Sequence, residues 1–462
     1  MLFSSVSFLY IFLPAVLILY FIVPKNWRNG VLLISSLLFY FFGEPIYVSL
    51  LIISSLSDYF HSLYIESHRG TKTAKIALIS SLIVNLGMLG FFKYADFFLG
   101  SINTALGTHI PLFGVELPVG ISFFTFQTMS YTIDVYRGKA KAEKNLSTFA
   151  TFVCLFPQLV AGPIVRYTDV SRELHSRKET LEDIYLGIRR FVIGLGKKIL
   201  IANTAAEFIA HFRESQPSVA FYWLYALAFC IQAYFDFSGY SDMAIGMGRI
   251  FGFKFPENFN YPFISKSISE FWRRWHMSMG GWFRDYVYIP LGGSRCSKGR
   301  WIFNTFVVWA VTGLWHGAAW SFVLWGLFFG VVMIAEKLFL GDLLKKLPNF
   351  LRHAYTIFIF LISMIIFNGE SLLGIWADLK GFFGDAPLWN AATGYYLQNY
   401  AVIFVVGILG GTPLCKHLWN KVSSRCKGLS AVAEPIYLFL ILIAVTACLL
   451  NGSLNPFMYF RF

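Results

Sequence analysis

The chain has 462 residues, of which 56% are hydrophobic, 19% aromatic and only 14% charged. A soluble chain carries about a quarter charged residues, so a string of water-soluble domains is excluded and a single polytopic membrane domain, 1–462, is expected. The net charge of +13 does not mark a nucleic-acid binder: Lys and Arg fall in short loops between apolar spans, as the positive-inside bias dictates, with anionic lipid headgroups as counter-charge.

A helical span takes about 20 apolar residues. Residues 5–23 meet that length, and lacking a basic n-region and a small-residue cleavage site they read as a retained helix, not a signal peptide. Lys25 and Arg28 place the loop that follows in the cytoplasm. Residues 31–42 and 46–56 are short and separated by Gly43-Glu-Pro45, which gives either a tight helical hairpin or two tilted short helices. Arg69, Lys72 and Lys75 mark a second cytoplasmic loop, and 76–92 leads out again.

Residues 118–136 are apolar but carry Ser122, Thr125, Gln127, Thr128, Ser130 and Asp134, so this helix is expected to face protein or a cavity, not lipid. Residues 149–163 are interrupted by Pro157, Gly162 and Pro163 and read as a re-entrant segment, which is tolerated only where it is buried in protein or lines a cavity. The most basic stretch, 166–198, is expected as amphipathic helix on the cytoplasmic surface, facing either lipid headgroups or an anionic donor such as coenzyme A or an acidic carrier protein.

Residues 221–233 span again and run into a segment holding Asp236 and Asp242, each of which has to be paired or face water. Spans at 302–311, 314–335, 355–367, 400–409 and 436–450 bring the total to about eleven, plus re-entrant pieces, by the length rule. The six cysteines form no CxxC pair and no zinc spacing; they read as small buried hydrophobes, and no metal site is expected.

Residues 267–325 form the chemical centre. Here Glu270-Phe-Trp-Arg-Arg-Trp-His276, Trp282-Phe-Arg-Asp-Tyr286 and Gly313-Leu-Trp-His-Gly-Ala-Ala-Trp320 keep ionisable groups between apolar flanks, where they are costly. Arg273, Arg274 and Trp282 are read either as functional groups or as interfacial anchors. His316 stands apart: with helical phase, Trp309, Gly313, Gly317 and Trp320 share its face, and two glycines beside an imidazole imply an open volume. An imidazole with an ordinary pKa near 6.5 acts as a base at neutral pH.

These motifs, with Phe156-Pro-Gln-Leu-Val-Ala-Gly-Pro163, Phe237-Ser-Gly-Tyr-Ser-Asp-Met-Ala-Ile-Gly246, Phe271-Trp-Arg-Arg-Trp-His-Met-Ser278, Trp282-Phe-Arg-Asp-Tyr-Val-Tyr-Ile-Pro-Leu-Gly-Gly293 and Phe91-Phe-Lys-Tyr94, together resemble the membrane-bound O-acyltransferases, in particular the alginate and peptidoglycan O-acetyltransferase branch. The resemblance covers nearly the whole chain. It implies an all-α ring of about eleven transmembrane helices and re-entrant segments around a central tunnel. It makes His316 the family's histidine base and His276 a second functional histidine that either positions the donor or stabilises the oxyanion. Trp315, Trp320, Gly313, Gly317, Trp275, Asp242 and Arg274 are the expected tunnel residues.

The implied reaction takes an acyl group, acetyl from acetyl-CoA or another thioester, across the bacterial inner membrane, with no bound cofactor. An extracytoplasmic serine hydrolase-like (SGNH) acetyltransferase then modifies a polysaccharide, since this chain shows no Ser/His/Asp pattern of its own. The last residues read Phe457-x-Tyr459-x-x-Phe462. They are similar to a terminal motif of export acylation systems, in which Tyr459 would carry the acyl group; the other reading is an aromatic anchor at the membrane interface. Two rival functions are D-alanyl transfer to teichoic acid on the same fold, and transport of a polysaccharide or lipid, which intramembrane Asp236 and Asp242 with broken helices would also suit.

Overall fold

The computed structural model describes residues 2–452; Tyr459 and the rest of the 455–462 tail lie outside them. Among the described residues every regular element is helical. The chain forms two compact units, Met1–Phe191 with Met243–Pro256, and Val192–Asp242 with Glu257–Phe462. Among the described residues seven helices are long and apolar enough to cross a membrane: Val48–Ser67, Lys72–Leu106, Val219–Ile250, Trp320–Lys346, Asn349–Phe367, Ala391–Gly410 and Lys427–Leu450. The chain is a multi-pass membrane protein. The first apolar run is shorter: a π-helical stretch, Phe8–Phe12, continuing into α1, Leu13–Ile22.

The first unit is organised by polar groups that have no water to turn to. Its helices α2 (Arg28–Phe41), α3 (Val48–Ser67), α4 (Lys72–Leu89) and α5 (Ile121–Tyr136) follow in order. All but two of the 16 residues of α5 are buried, so the helix faces protein, as its polar content requires. Fully buried Asp58 on α3 accepts from Ser81 Oγ at 2.6 Å and Asn85 Nδ2 at 2.8 Å, both on α4. Asn85 Oδ1 in turn accepts from Ser54 of α3 at 3.0 Å and Thr128 of α5 at 3.2 Å. One carboxylate thus ties three helices through neutral donors, the usual means of holding helices together where lipid removes the hydrophobic drive.

The broken segment after α5 folds back on itself. It enters as α6, Leu146–Cys154, breaks at Leu155, makes one short turn and returns through an irregular stretch to α7, Tyr167–His175. Both ends meet: Tyr167 donates from its hydroxyl to Glu143 at 2.8 Å. The irregular backbone from 155 to 165 is buried in protein, the condition on which such a hairpin survives at membrane depth. Gln127 of α5 braces it by donating to the Phe152 carbonyl at 2.9 Å.

The basic region differs from its expected surface position. Its last two lysines turn inward within a π-helical segment, Lys197–Ala202. There Lys198 pairs with Asp236 at 2.6 Å and Lys197 with Asp242 at 2.7 Å. Both acids lie on α8, Val219–Ile250. The two carboxylates that interrupt an apolar span are paired, and the cations that pair them come from a stretch that composition alone assigns to the cytoplasmic face.

The second unit carries the aromatic centre. Here α9 (Ile268–Trp272) and α10 (Met277–Phe283) are short, and α11 (Lys298–His316), α12 (Trp320–Ala335) and α13 (Asn349–Phe367) are long. α11 and α12 touch backbone to backbone. A Cβ added at Gly313 would overlap the Phe322 carbonyl, one at Gly326 the Trp309 carbonyl, and one at Gly317 the Phe322 ring. Small residues allow this approach. Filling the contact by Gly326→Ala is expected to cost about 1–3 kcal/mol by overpacking and to lower the thermal midpoint of the detergent-solubilised protein. Gly299→Ala, whose Cβ meets nothing within 4 Å, is the control and should leave the midpoint unchanged or slightly raised.

Candidate active site

The two histidines singled out by the sequence both belong to the second unit, and both are buried: His276 is 0% and His316 5% exposed. Trp315 stands between them, its ring centroid 5.9 Å from His276 and 5.2 Å from His316. His316 is the last residue of α11, because Gly317 leaves the helix with an extended backbone. Its ring is packed edge to face against Trp325 of α12 at 5.0 Å and Phe367 of α13 at 5.5 Å.

This geometry corrects the reading of His316. The space that Gly313 and Gly317 leave is taken by Phe322, so packing of the two helices accounts for both glycines. Nor does Trp320 share the histidine's face: the helix has ended, and Trp320 opens α12 with 53% of its surface exposed. The ring is walled instead by aromatics. Behind it, Trp272, Trp309, Trp325 and Phe329 form one cluster, with Trp272 and Trp325 at 5.6 Å and Trp272 and Phe329 at 4.9 Å. The indole N–H groups of Trp272 and Trp325 are buried and have no acceptor among the described residues. A buried donor without an acceptor costs about 1–3 kcal/mol.

His276 is held differently. It precedes α10 in a left-handed conformation, φ 44° and ψ 53°, which is rare for a residue with a side chain. Such strain costs on the order of 1–3 kcal/mol and gathers at functional sites. Tyr261, at φ 45°, is the other non-glycine residue with positive φ among those described. Both lie where residues 258–261 run beside 274–277, joined by Asn260 N–H to the Arg274 carbonyl and Met277 N–H to the Asn258 carbonyl, each at 2.9 Å. The His276 ring meets the Phe237 ring of α8 edge to face at 4.6 Å, and its Nδ1 lies 3.1 Å from Asn258 Oδ1. Burial, and after it the nearby His316 imidazole, pushes the His276 pKa well below the ordinary histidine value.

The other expected site residues are placed as follows. Trp275 is buried and stacks on Phe271 at 5.5 Å, within an aromatic wall completed by Tyr234, Phe259 and Phe360. Arg274 pairs with Glu270 at 3.0 Å and donates to the Asn260 carbonyl at 3.2 Å, bracing the two loop strands. Asp242 is held by Lys197. Trp282 is buried, its ring 5.2 Å from that of Tyr286.

Two residues of this site carry no local cue. Asn258 is one of two amides, with Asn260, in an aromatic run, 18 positions before His276, and only the fold brings it to the ring. Glu336 lies 60 positions after His276. Its buried carboxylate accepts from the N–H groups of Ile268 and Ser269 at 2.6 and 2.9 Å and from Ser269 Oγ at 2.6 Å. It therefore caps α9, the helix that leads into the histidine loop.

Comparison with known proteins covers the same region. Residues 82–375 match the family described as MBOAT, membrane-bound O-acyltransferase family. The chain is similar to the probable alginate O-acetylase AlgI of Azotobacter vinelandii, 37% identical over all of both chains, and to that of Pseudomonas putida, 41% identical over all of both. It is also similar to the peptidoglycan O-acetyltransferase of Helicobacter pylori, 34% identical over 83% of this chain and 80% of that one.

Removing the cap tests how the loop is held. Glu336→Ala strands two buried N–H donors at about 1–3 kcal/mol each. It is expected to lower the thermal midpoint in detergent and to speed amide exchange across 267–276. Glu336→Gln keeps an acceptor oxygen and should fall between that variant and wild type.

Proposed function

The chain belongs to the membrane-bound O-acyltransferase family and is an O-acyltransferase; from that premise we propose that it moves an acetyl group from a cytoplasmic thioester toward O-acetylation of an extracytoplasmic polysaccharide of the alginate kind. The observation that carries the reading is the pair of buried imidazoles joined through Trp315 within the matched region. Two relatives named probable alginate O-acetylase align over their whole length, at 37% and 41% identity against 34% for the peptidoglycan O-acetyltransferase, which favours that acceptor class.

The chemistry balances as acyl exchange. His316 takes the proton of an acceptor hydroxyl as the oxygen attacks the thioester carbonyl. The C–O bond forms, the tetrahedral oxyanion collapses, and the C–S bond breaks. The imidazolium then returns the proton to the departing thiolate, giving an ester and a free thiol. The indole N–H groups of Trp272 and Trp325 are the donors proposed for the oxyanion. The aromatic walls exclude water, which protects the thioester from hydrolysis.

Acetyl-CoA, or an acyl carrier protein bearing the same thioester, is the proposed donor. The proposed setting is a bacterial cytoplasmic membrane, with a separate serine hydrolase-like acetyltransferase completing transfer outside. Tyr459, outside the described residues, is the proposed carrier hydroxyl: its phenol is a nucleophile that is acylated and then deacylated.

Two measurements test this. In vesicles holding the protein, a labelled acetyl thioester and the extracytoplasmic partner, His316→Ala is expected to lower acetyl transfer by roughly 10²–10⁴-fold while the chain folds normally; full transfer by that variant would overturn the assignment. Intact-mass analysis of the purified chain after exposure to labelled acetyl-CoA is expected to place the label on Tyr459. Transfer to polysaccharide by Tyr459→Phe at the wild-type rate would remove the carrier step.

A further inference from the structure

Asn258 does more than sit beside His276. It is 1% exposed, and its side-chain oxygen collects three contacts: Ser278 N–H at 3.3 Å, Ser278 Oγ at 2.9 Å and His276 Nδ1 at 3.1 Å. Its amide nitrogen donates to Ser241 Oγ of α8 at 2.9 Å. A backbone N–H can only donate, so the atom facing Ser278 is the carbonyl oxygen and the amide cannot be flipped. That same oxygen faces His276 Nδ1. An oxygen acceptor opposite a neutral imidazole nitrogen requires that nitrogen to carry the proton.

We propose that Asn258 is a positioning residue that fixes His276 as the Nδ1–H tautomer, leaving the Nε2 lone pair as the acceptor presented to substrate. This deepens the functional reading above and rests on it. It also decides between the two roles open to His276: a neutral ring with its proton committed to Asn258 has none on Nε2 to give an oxyanion. His276 therefore accepts a hydrogen bond from an O–H or N–H of a bound reactant and orients it.

The surroundings favour the neutral ring. From α8 it meets Phe237, and Ser241 lies one hydrogen bond behind Asn258. From α11 it meets Trp315, with His316 as the titratable neighbour acting on it. From its own loop it meets Asn258, whose oxygen is shared with Ser278. An amide holds Nδ1–H without drawing a second proton onto the ring. The left-handed backbone at His276 serves the same end, because the Asn258 carbonyl accepts from Met277 N–H at 2.9 Å while the Asn258 side chain takes the ring and Ser278. One residue thus grips His276 on both sides.

The test uses the full chain with Asn258→Asp and Asn258→Ala, read in two ways. Asn258→Asp keeps the acceptor oxygen but adds charge, which stabilises the imidazolium. A ring that must be neutral then loses activity on the acid side, so the acidic limb of the pH–rate profile for acetyl transfer should move up by roughly 1–3 pH units. Asn258→Ala frees the ring and is expected to lower the rate about 10–100-fold with no such shift. A purely structural role would lower both rates and leave the profile where it was, which would overturn the proposal. Independently of any activity, 15N solid-state spectra of histidine-labelled protein, with His276 identified by difference against His276→Gln, should show a protonated Nδ1 and a bare Nε2. Protonated Nε2 would refute the tautomer outright. Absence of acetyl transfer in wild type with the expected tautomer would instead count against the functional reading alone.

Discussion

A carboxylate, amide or imidazole carried out of water has to find its partners on the chain, because hydrocarbon offers none. That single constraint organises both units. In the first, Asp58 is satisfied by hydroxyls and an amide from two neighbouring helices, and so sets how α3, α4 and α5 lie against one another. In the second, the Lys198–Asp236 pair, almost wholly buried, binds a π-helical turn to α8. An ion pair at that depth is a weak source of net stability. Its geometric effect is firmer: it fixes the register of α8, which presents Phe237 and Ser241 toward the histidine loop from the positions next to Asp236 and Asp242.

The same constraint decides what a reader can see in the sequence. Polar residues in an apolar run announce burial, and that inference held for 121–136, for the broken segment around Pro157 and Gly162, and for Asp236 and Asp242, all of which are enclosed or paired. What composition cannot announce is the identity of the partner. Lys197 and Lys198 look like the end of a surface stripe, yet they are the counter-charges of α8. Asn258 and Glu336 act on the histidine loop from 18 and 60 positions away, and no periodicity links residues across such distances.

Glycine was the least legible residue, for a physical reason. Gly313 and Gly317 mark a missing side chain, and a missing side chain is filled by whatever comes closest. In this chain that is another helix: α12 closes on α11 until carbonyls meet the places where Cβ atoms would be. The sequence records the vacancy and not its occupant. The same closeness shapes the chemistry, since α11 must end at His316 and α12 must begin at Trp320 for the two to pack so tightly. The imidazole is left at a helix terminus with Trp325 and Phe367 on its faces.

The two imidazoles therefore differ in kind although both are buried. His316 is placed by packing: aromatic rings define its pocket, and its position depends on how closely two helices meet. His276 is placed by hydrogen bonding, through a strained backbone and one amide that fixes which nitrogen bears the proton. Burial near a second imidazole makes it harder for His276 to hold a charge, since two cations so close in a low-dielectric setting repel. The reaction proposed for this site moves a single proton and stores none. Such an arrangement suits acyl exchange between an alcohol and a thiol, where one proton leaves the attacking oxygen and returns to the departing sulfur, and the site ends in the charge state in which it began.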